Sequence, residues 1–443
     1  MNYLALADTV AAQIASGHLR PGERLWPQRR FARHYGIASS TAARVYGELV
    51  RRGLAIGEVG RGTFVRSAPP GRDPALAEPG GARVDLELNF PVLPEQNALL
   101  AQSIARLIRP EAFGAALAPV GVTGTASART ATAELLADDG WVPDPNRILF
   151  AGNGRQAIAA AIAALVPVGE RLGVEAITYP VVKGIAARLG VTLVPIAMDE
   201  HGLDPNALKS AHRATPLRAV YLQPALHNPL GITMPEARHQ ALAEELRELD
   251  LCAIEDAIYR FLHDAPPLAA TAPQHTVLVD SLSKRLAPGL TLGFAVTPPS
   301  GTDRIAAALR SGAWAASRFS LAAATRWMID GTAATIGLAK RRDAQTRQRI
   351  VSERLAGFTV HADPCSYHCW WELPGPWRAE TFVSAAARHG IAITPAAAFA
   401  IGAGRAPHAV RLALASPAAD TLADALDVLA SLARGSPDDD GVD

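Results

Sequence analysis

Lysine is scarce in this chain. Of 43 Lys and Arg residues only four are lysine, at Lys183, Lys209, Lys284 and Lys340, so a position that needs charge alone is nearly always arginine. Each lysine is therefore informative. Cysteine is scarcer: Cys252, Cys365 and Cys369 are odd in number and not grouped as four ligands, which argues against a disulfide framework and for a reducing cytoplasm. Cys365-x-x-x-Cys369 with His368 has no second ligand pair, so no metal site is expected. No run of about 18 apolar residues is free of charges and helix breakers, so no membrane span is expected. The stretch Met1 to Asp8 has neither a basic start nor an extended apolar core, so no secretory signal is expected.

With 443 residues, the chain exceeds one compact core, and two or three domains are expected. Its net charge of +1 hides an asymmetry. Residues 1–66 hold ten arginines against Asp8, Glu23, Glu48 and Glu58, whereas the remainder holds 33 basic and 38 acidic residues. A basic head on a slightly acidic body suits a polyanionic partner. In the head, Leu6, Val10 and Ile14 recur at helical spacing, a second helix is expected over Arg29 to Tyr35, and Ser39 or Ser40 can cap a third that runs to about Arg52. Ala43, Val45, Tyr46, Leu49 and Val50 would be its apolar positions, and two short strands around Val59-Gly60-Arg61 would form a wing.

At Arg20-Pro21-Gly22-Glu23-Arg24-Leu25, Arg29, Phe31-Ala32, Thr41, Tyr46 and Gly60-Arg61-Gly62-Thr63-Phe64-Val65 the head resembles the winged helix-turn-helix of GntR-type bacterial regulators. The resemblance implies binding to double-stranded DNA, the third helix in the major groove and the wing on the backbone or minor groove. Arg29, Ser39, Ser40, Thr41, Arg44, Arg61 and Gly62 are the expected contacts. Where the family often opens the recognition helix with arginine this chain has Ser39 and Ser40, so its base preference is expected to differ. A Pro- and Gly-rich linker is expected over 67–84.

Beyond it, helical patterns alternate with apolar runs such as Arg147–Ala151, Ala219–Leu222, Leu251–Ile254 and Thr276–Val279, which predicts an α/β body with a mostly parallel sheet. Ligands of such sheets bind beyond the carboxyl ends of the strands. Asp256 and Lys284 each follow an apolar run. A lysine, unlike arginine, can lose its proton when desolvated and then attack an aldehyde, and a carboxylate can pair with a pyridinium nitrogen. Together they suggest pyridoxal 5'-phosphate (PLP). Gly152-Asn153-Gly154 before a helix can hold a phosphate. Tyr179 can stack on a ring or sit in the core, and Asn228 in His227-Asn228-Pro229 can contact a ring oxygen or mark a turn.

The order and spacing of these elements resemble the fold-type I PLP enzymes of the aminotransferase class, over roughly residues 85 to 435. The resemblance implies that Gly154, Arg155 and Gln156 bind phosphate and that Tyr179 stacks on the pyridine. Asn228 and Tyr259 would meet the ring oxygen, Asp256 the ring nitrogen, and Ser281 and Ser283 the phosphate or the lysine. Lys284 would form the internal aldimine, and Arg411, in Ala409-Val410-Arg411-Leu412-Ala413, would grip a carboxylate. Two positions depart from the pattern: Thr291 stands for an arginine that helps hold phosphate, and Pro119 for a tyrosine. Losing one charge-assisted contact costs about 1.5–3 kcal/mol, and Arg285 or Arg155 is available to compensate.

A GntR-type head on such a body resembles the MocR family of bacterial regulators. That implies a head-to-tail homodimer that takes PLP and an amine or amino-acid effector as its signal. Two alternatives stay open: a working aminotransferase with a DNA-binding appendage, and a regulator whose body has lost PLP and serves as a dimerisation or other ligand-binding module. The expected segments are 1–66, the DNA-binding head; 67–84, the linker; 85–328, the large domain; 329–435, the small domain; and 436–443, a disordered acidic tail. The basic run from Lys340 to Arg354 is expected to be a solvated helix face.

Overall fold

The computed structural model describes residues 3–16, 18–19, 22–51, 54–58, 62–65, 82–105, 107–138, 140–402 and 406–437. In the head, helices α1 (Tyr3–Ala15), α2 (Gln28–His34) and α3 (Ser39–Arg51) precede an antiparallel pair, β1 (Ala55–Glu58) and β2 (Gly62–Val65). Leu6 and Val10 of α1, Phe31 of α2, and Val45, Tyr46 and Leu49 of α3 are buried together with Leu25 and Val65. The Tyr46 hydroxyl donates to the Trp26 carbonyl at 2.6 Å, which satisfies the polar end of a buried ring. Ala43 and Val50, expected in this core, face solvent instead, and Ala42 takes the inward position. The helical period favours that choice, since Ala42, Val45, Tyr46 and Leu49 recur three or four residues apart. Phe64 of β2 lies beneath the guanidinium of Arg378 in the same chain, 4.0 Å from Cζ to the ring centroid.

The body is built on a seven-stranded sheet. Its strands are β3 (Ile148–Ala151), β4 (Arg171–Glu175), β5 (Thr192–Ile196), β6 (Ala219–Leu222), β7 (Cys252–Asp256), β8 (Thr276–Ser281) and β9 (Gly293–Val296). They lie in the order β3-β9-β8-β7-β6-β4-β5, parallel except for β9, which runs against both its neighbours. Strands β3, β6, β8 and β9 are buried along their whole length, which explains why they read as unbroken apolar runs. Helix α4 (Gly154–Leu165) follows β3, and its small residues Ala157, Ala160 and Ala161 let it pack closely on the sheet. Between β8 and β9 sit a short helical turn, α5 (Leu282–Arg285), and a 3-10 turn at Pro288–Leu290.

A long helix, α6 (Thr332–Arg354), leads to a second, antiparallel sheet of β10 (Thr359–His361), β11 (His368–Glu372), β12 (Thr394–Pro395) and β13 (Ala409–Ala413), ordered β10-β11-β13-β12. Helices α7 (Ala379–Arg388) and α8 (Ala419–Arg434) cover it over Trp371, Phe382, Leu426 and Leu429. Val84–Asp85 pairs in parallel with Ile391–Ala392, so the chain enters the body along this smaller unit.

Helix α6 corrects one expectation. Lys340 is fully buried and Arg347 and Gln348 nearly so, although their neighbours Arg342 and Arg349 face outward. Lys340 Nζ donates to the carbonyls of Lys284, at 2.9 Å, and Leu286. Arg347 donates to Leu414 O and Pro417 O at 2.6 and 2.7 Å, and Gln348 to Ser366 O and His368 O at 2.7 and 3.0 Å. One face of the helix is thus a row of donors to carbonyls that strands and turns leave unpaired. Among the described residues no helix is long and apolar enough to cross a membrane, and no group of His, Cys, Asp or Glu is placed to hold a metal ion. His368 is buried, its ring pushed down to about 3, and its Nε2 donates to His227 O at 3.0 Å.

Candidate functional site

The carboxyl ends of β3, β6, β7 and β8 converge on one cavity of about 340 Å³. Its walls include Gly154, Arg155, Tyr179, Asn228, Asp256, Tyr259, Ser281, Ser283, Lys284 and Arg411, residues spread over more than 250 positions of sequence. Gln156 is not among the lining residues. Its side chain turns back so that its Oε1 fills the space where a Cβ on Gly152 would sit, 2.4 Å away.

Asp256 ends β7 fully enclosed. Its Oδ2 accepts from the Tyr221 hydroxyl at 2.7 Å and from Gln223 Nε2 at 3.0 Å, and its Oδ1 from the Ile258 N–H at 3.2 Å. Burial raises its pKa and these donors oppose the rise. Lys284 projects from α5 across the same space. Burial, followed by the fields of Arg155 and Arg411, lowers its pKa to about 7, with Asp256 acting the other way. The amine donates to the Asn89 carbonyl and lies 4.9 Å from the centroid of the Phe90 ring. A neutral amine opposite a buried carboxylate can add to a carbonyl carbon while the carboxylate holds a proton on a ring nitrogen.

At the other end, the first turn of α4 offers backbone N–H groups beside Arg155, with the Ser281 and Ser283 hydroxyls 2.7 Å apart. Strand β9 passes so close that a Cβ on Gly293 would stand 2.2 Å from the Asn153 carbonyl oxygen. Gly293→Ala is therefore expected to displace the Asn153–Gly154 turn. The expected outcome is a melting temperature lowered by several degrees, equivalent to about 1–3 kcal/mol, and loss of phosphate affinity measured by calorimetry.

The residues fit a phosphate-bearing pyridine aldehyde. Thr291 Oγ1 and Asn228 Oδ1 are both buried at this cavity without a partner. A cofactor with a phosphate and a ring oxygen supplies a complement for each group, the Asn228 amide turning its nitrogen or its oxygen inward as needed. Arg285 does not line the cavity. It turns to Asp280, 3.5 Å away, and to the Phe261 ring, which leaves Arg155 and Arg411 as the arginines that line the cavity with Thr291.

Arg411 reaches in from β13. Its Nη2 donates to Thr394 Oγ1 at 3.0 Å and to Glu87 O, while its Nε is buried without a partner. Sequence reasoning missed Gln223, the Glu87–Phe90 segment and Thr394. Gln223 follows β6 just where a ligand-facing residue is expected. No local motif marks the others. Tyr259 is buried, accepts from Asn89 Nδ2 at 3.4 Å, and its pKa is pushed up to about 12 by burial.

In the head, Arg29, Ser39, Ser40 and Arg44 are exposed, and Thr41 is half-buried at the start of α3. Arg44 stacks on Tyr3, 4.1 Å from Cζ to the ring centroid. Gly62 has φ +124° and a Cβ there would meet Arg24 Nε at 2.8 Å, so the wing needs glycine at this turn. Arg61, expected at the wing tip, lies outside the described residues, as do most of the expected linker and the end of the tail.

Residues 84–429 match the family model for aminotransferase class I and II, and residues 2–65 that for bacterial regulatory proteins of the gntR family. The chain is 29% identical over 419 residues to an uncharacterized HTH-type transcriptional regulator, YdeF, of Bacillus subtilis, covering 94% of this chain and 90% of that one. It is 28% identical over 311 residues to the vitamin B6 salvage pathway transcriptional repressor PtsJ of Salmonella typhimurium, covering 69% of this chain and 70% of that one. To the HTH-type pyridoxine biosynthesis transcriptional regulator PdxR of Corynebacterium glutamicum it is 26% identical over 323 residues, covering 69% and 68%. Among solved structures, an archaeal alanine:glyoxylate aminotransferase superposes with a TM-score of 0.72 at 20% identity, covering 79% of this chain and 90% of that one.

Proposed function

Because the chain belongs to the aminotransferase class I and II family and joins that body to a gntR-family head, the arrangement of MocR-type transcription regulators, we propose that it controls transcription in response to PLP and an amine or amino acid. The observation that carries the reading is the placing of Lys284, with an amine pKa near 7, across one cavity from the enclosed Asp256. When bound, PLP supplies an aldehyde that takes up an amine and a ring that withdraws electrons. The α4 N–H groups, Arg155, Ser281, Ser283 and Thr291 would hold its phosphate, and Tyr179 would lie against the ring. Asp256 would keep a proton on the ring nitrogen, Asn228 and Tyr259 would meet the ring oxygen, and Lys284 would hold the cofactor covalently. Arg411 would grip the effector's carboxylate.

The protein acts in this reading as a cytoplasmic head-to-tail homodimer. An effector acts only through different affinities for two states of the dimer. The names of the PtsJ and PdxR relatives support vitamin B6 as part of the signal.

The test is to select genomic fragments that the purified protein retains, then measure its affinity for them with and without PLP and a panel of amines. A change of about tenfold or more with one ligand, with no sustained turnover of amino donor and keto acid, is the expected result. Turnover with unchanged DNA affinity would make the protein an enzyme, and no effect of any ligand would reduce the body to a dimerisation module. Arg29→Ala and Arg44→Ala are expected to weaken binding on all sequences alike, each lowering the slope of log affinity against log salt by about 1. Fluorescence anisotropy at several salt concentrations measures this.

A further inference from the structure

Glu87 is the cavity's charge without a task. If the phosphate goes to Arg155, the ring nitrogen to Asp256 and the cofactor carbon to Lys284, three charged side chains of the lining remain, Asp280, Arg411 and Glu87, and Asp280 is already engaged by Arg285 and the Ser281 N–H. Arg411, assigned above to the effector's carboxylate, has its Nη2 on Thr394 and the Glu87 carbonyl and its Nε buried without a partner. Glu87 also lines the cavity, yet among the described residues no hydrogen bond or ion pair reaches its carboxylate, although its own backbone carbonyl accepts from Arg411. The neighbouring Asp85 is differently used. Its Oδ1 accepts the N–H groups of Glu87 at 2.8 Å and Leu88 at 3.0 Å, so Asp85 fixes the turn that presents Glu87.

We propose that Glu87 selects an effector with a second cationic group: a diamino acid, or its guanidino counterpart. The first amino group goes to Lys284, the carboxylate to Arg411, and the second cation to Glu87. This inference rests on reading the cavity as the cofactor and effector site.

The electrostatics favour that class over its rivals. Burial raises the pKa of Glu87, the nearby Asp85 carboxylate raises it further, and Arg411 opposes both. The carboxylate is therefore under-compensated where it stands. A neutral side chain would cover Glu87 and strip its remaining water without replacing it, which leaves a desolvated charge. An acidic side chain would add like-charge repulsion. A second ammonium supplies both the missing charge and three donors. A cavity of about 340 Å³ lies within the range of small-ligand sites.

The experiment uses stable reduced adducts, N-(5'-phosphopyridoxyl) ornithine, norleucine and glutamate, titrated into the full-length apoprotein by calorimetry. Ornithine and norleucine differ in that the first ends in an ammonium and the second in a methyl group. Ornithine adduct bound about tenfold or more tightly than the norleucine adduct, and the glutamate adduct weakest, is the expected result. Glu87→Gln is expected to collapse the ornithine-over-norleucine ratio to below about threefold, and Glu87→Lys to reverse the order in favour of glutamate. Equal binding of ornithine and norleucine adducts by the wild-type protein would overturn the proposal without need of any variant, as would an unchanged ratio in Glu87→Gln. If no adduct binds and free PLP does not either, the cofactor reading itself fails, an outcome plainly different from tight binding without preference.

Discussion

Lys284→Ala abolishes the visible absorbance band that forms when PLP is added to the purified protein and that borohydride removes from the wild type. The expectation follows from the cavity: the other three lysines cannot take over. Lys340 is fully buried and spends its amine on two backbone carbonyls. Lys183 donates to Ala398 O at 2.5 Å, and Lys209 pairs with Glu245 and Glu248. A band that survives in the variant, or a wild type with no band at saturating PLP, would remove Lys284 from its assigned role.

The same lysine has a second, separable effect on the apoprotein. Its folded pKa, about 7, lies below its unfolded value of about 10.4, so between those pH values the unfolded chain binds more protons than the folded one. Stability then rises with pH across that window, and the full cost of burying the charged amine is present below pH 7. Lys284→Met is accordingly expected to melt higher than the wild-type apoprotein, most of all below pH 7, with the difference fading towards pH 10. Thermal melts across pH, without cofactor, test this, and a constant offset would show the amine to be well solvated.

Asp256→Ala is expected to weaken PLP binding by about 2–5 kcal/mol, the usual cost of truncating one partner of a buried charged pair. That is a loss of about 30-fold to more than 1,000-fold in affinity. The apoprotein responds in the opposite direction to what loss of a charge suggests. Burial raises the Asp256 pKa, so part of the wild-type folding energy is spent on holding that carboxylate, and Asp256→Asn removes the charge while keeping the shape. Asp256→Asn is thus expected to retain folding and lose affinity, whereas equal loss of both would mark Asp256 as structural. Titration of PLP absorbance beside thermal melts separates the outcomes.

How much of this was legible in the sequence depended on whether position or partner defined the residue. Asp256 and Lys284 follow strands that read as apolar runs, and a parallel sheet puts whatever follows such strands at the ligand edge. Gln223 obeys the same rule after Leu222, and only its lack of ionisable chemistry hid it. Glu87 and Asn89 belong to the cavity through contacts with residues 324 and 170 positions away, and Thr394 through Arg411 on the neighbouring strand, none with a periodicity or motif of its own. Gln156 shows the limit of transfer by position: it occupies the expected place in the chain and turns its side chain back towards Gly152. The basic stretch of α6 misled because charge ordinarily reports solvent. Here Lys340 and Arg347 serve carbonyls of the α5 turn and of the chain just past β13, a need that only the folded arrangement creates.

Helix α6 has a mechanical consequence. Lys340 and Arg347 are seven residues apart, two turns or about 10 Å along one face. The first grips the carbonyls on either side of Arg285, one of them that of Lys284, and the second the carbonyls of Leu414 and Pro417, just past the strand that carries Arg411. An effector bridging Lys284 and Arg411 would close a ring of linkages whose other side is a rigid rod. Tension on either end is then borne by hydrogen bonds rather than absorbed by loops, and the small molecule is the one strut in the frame that can be taken out.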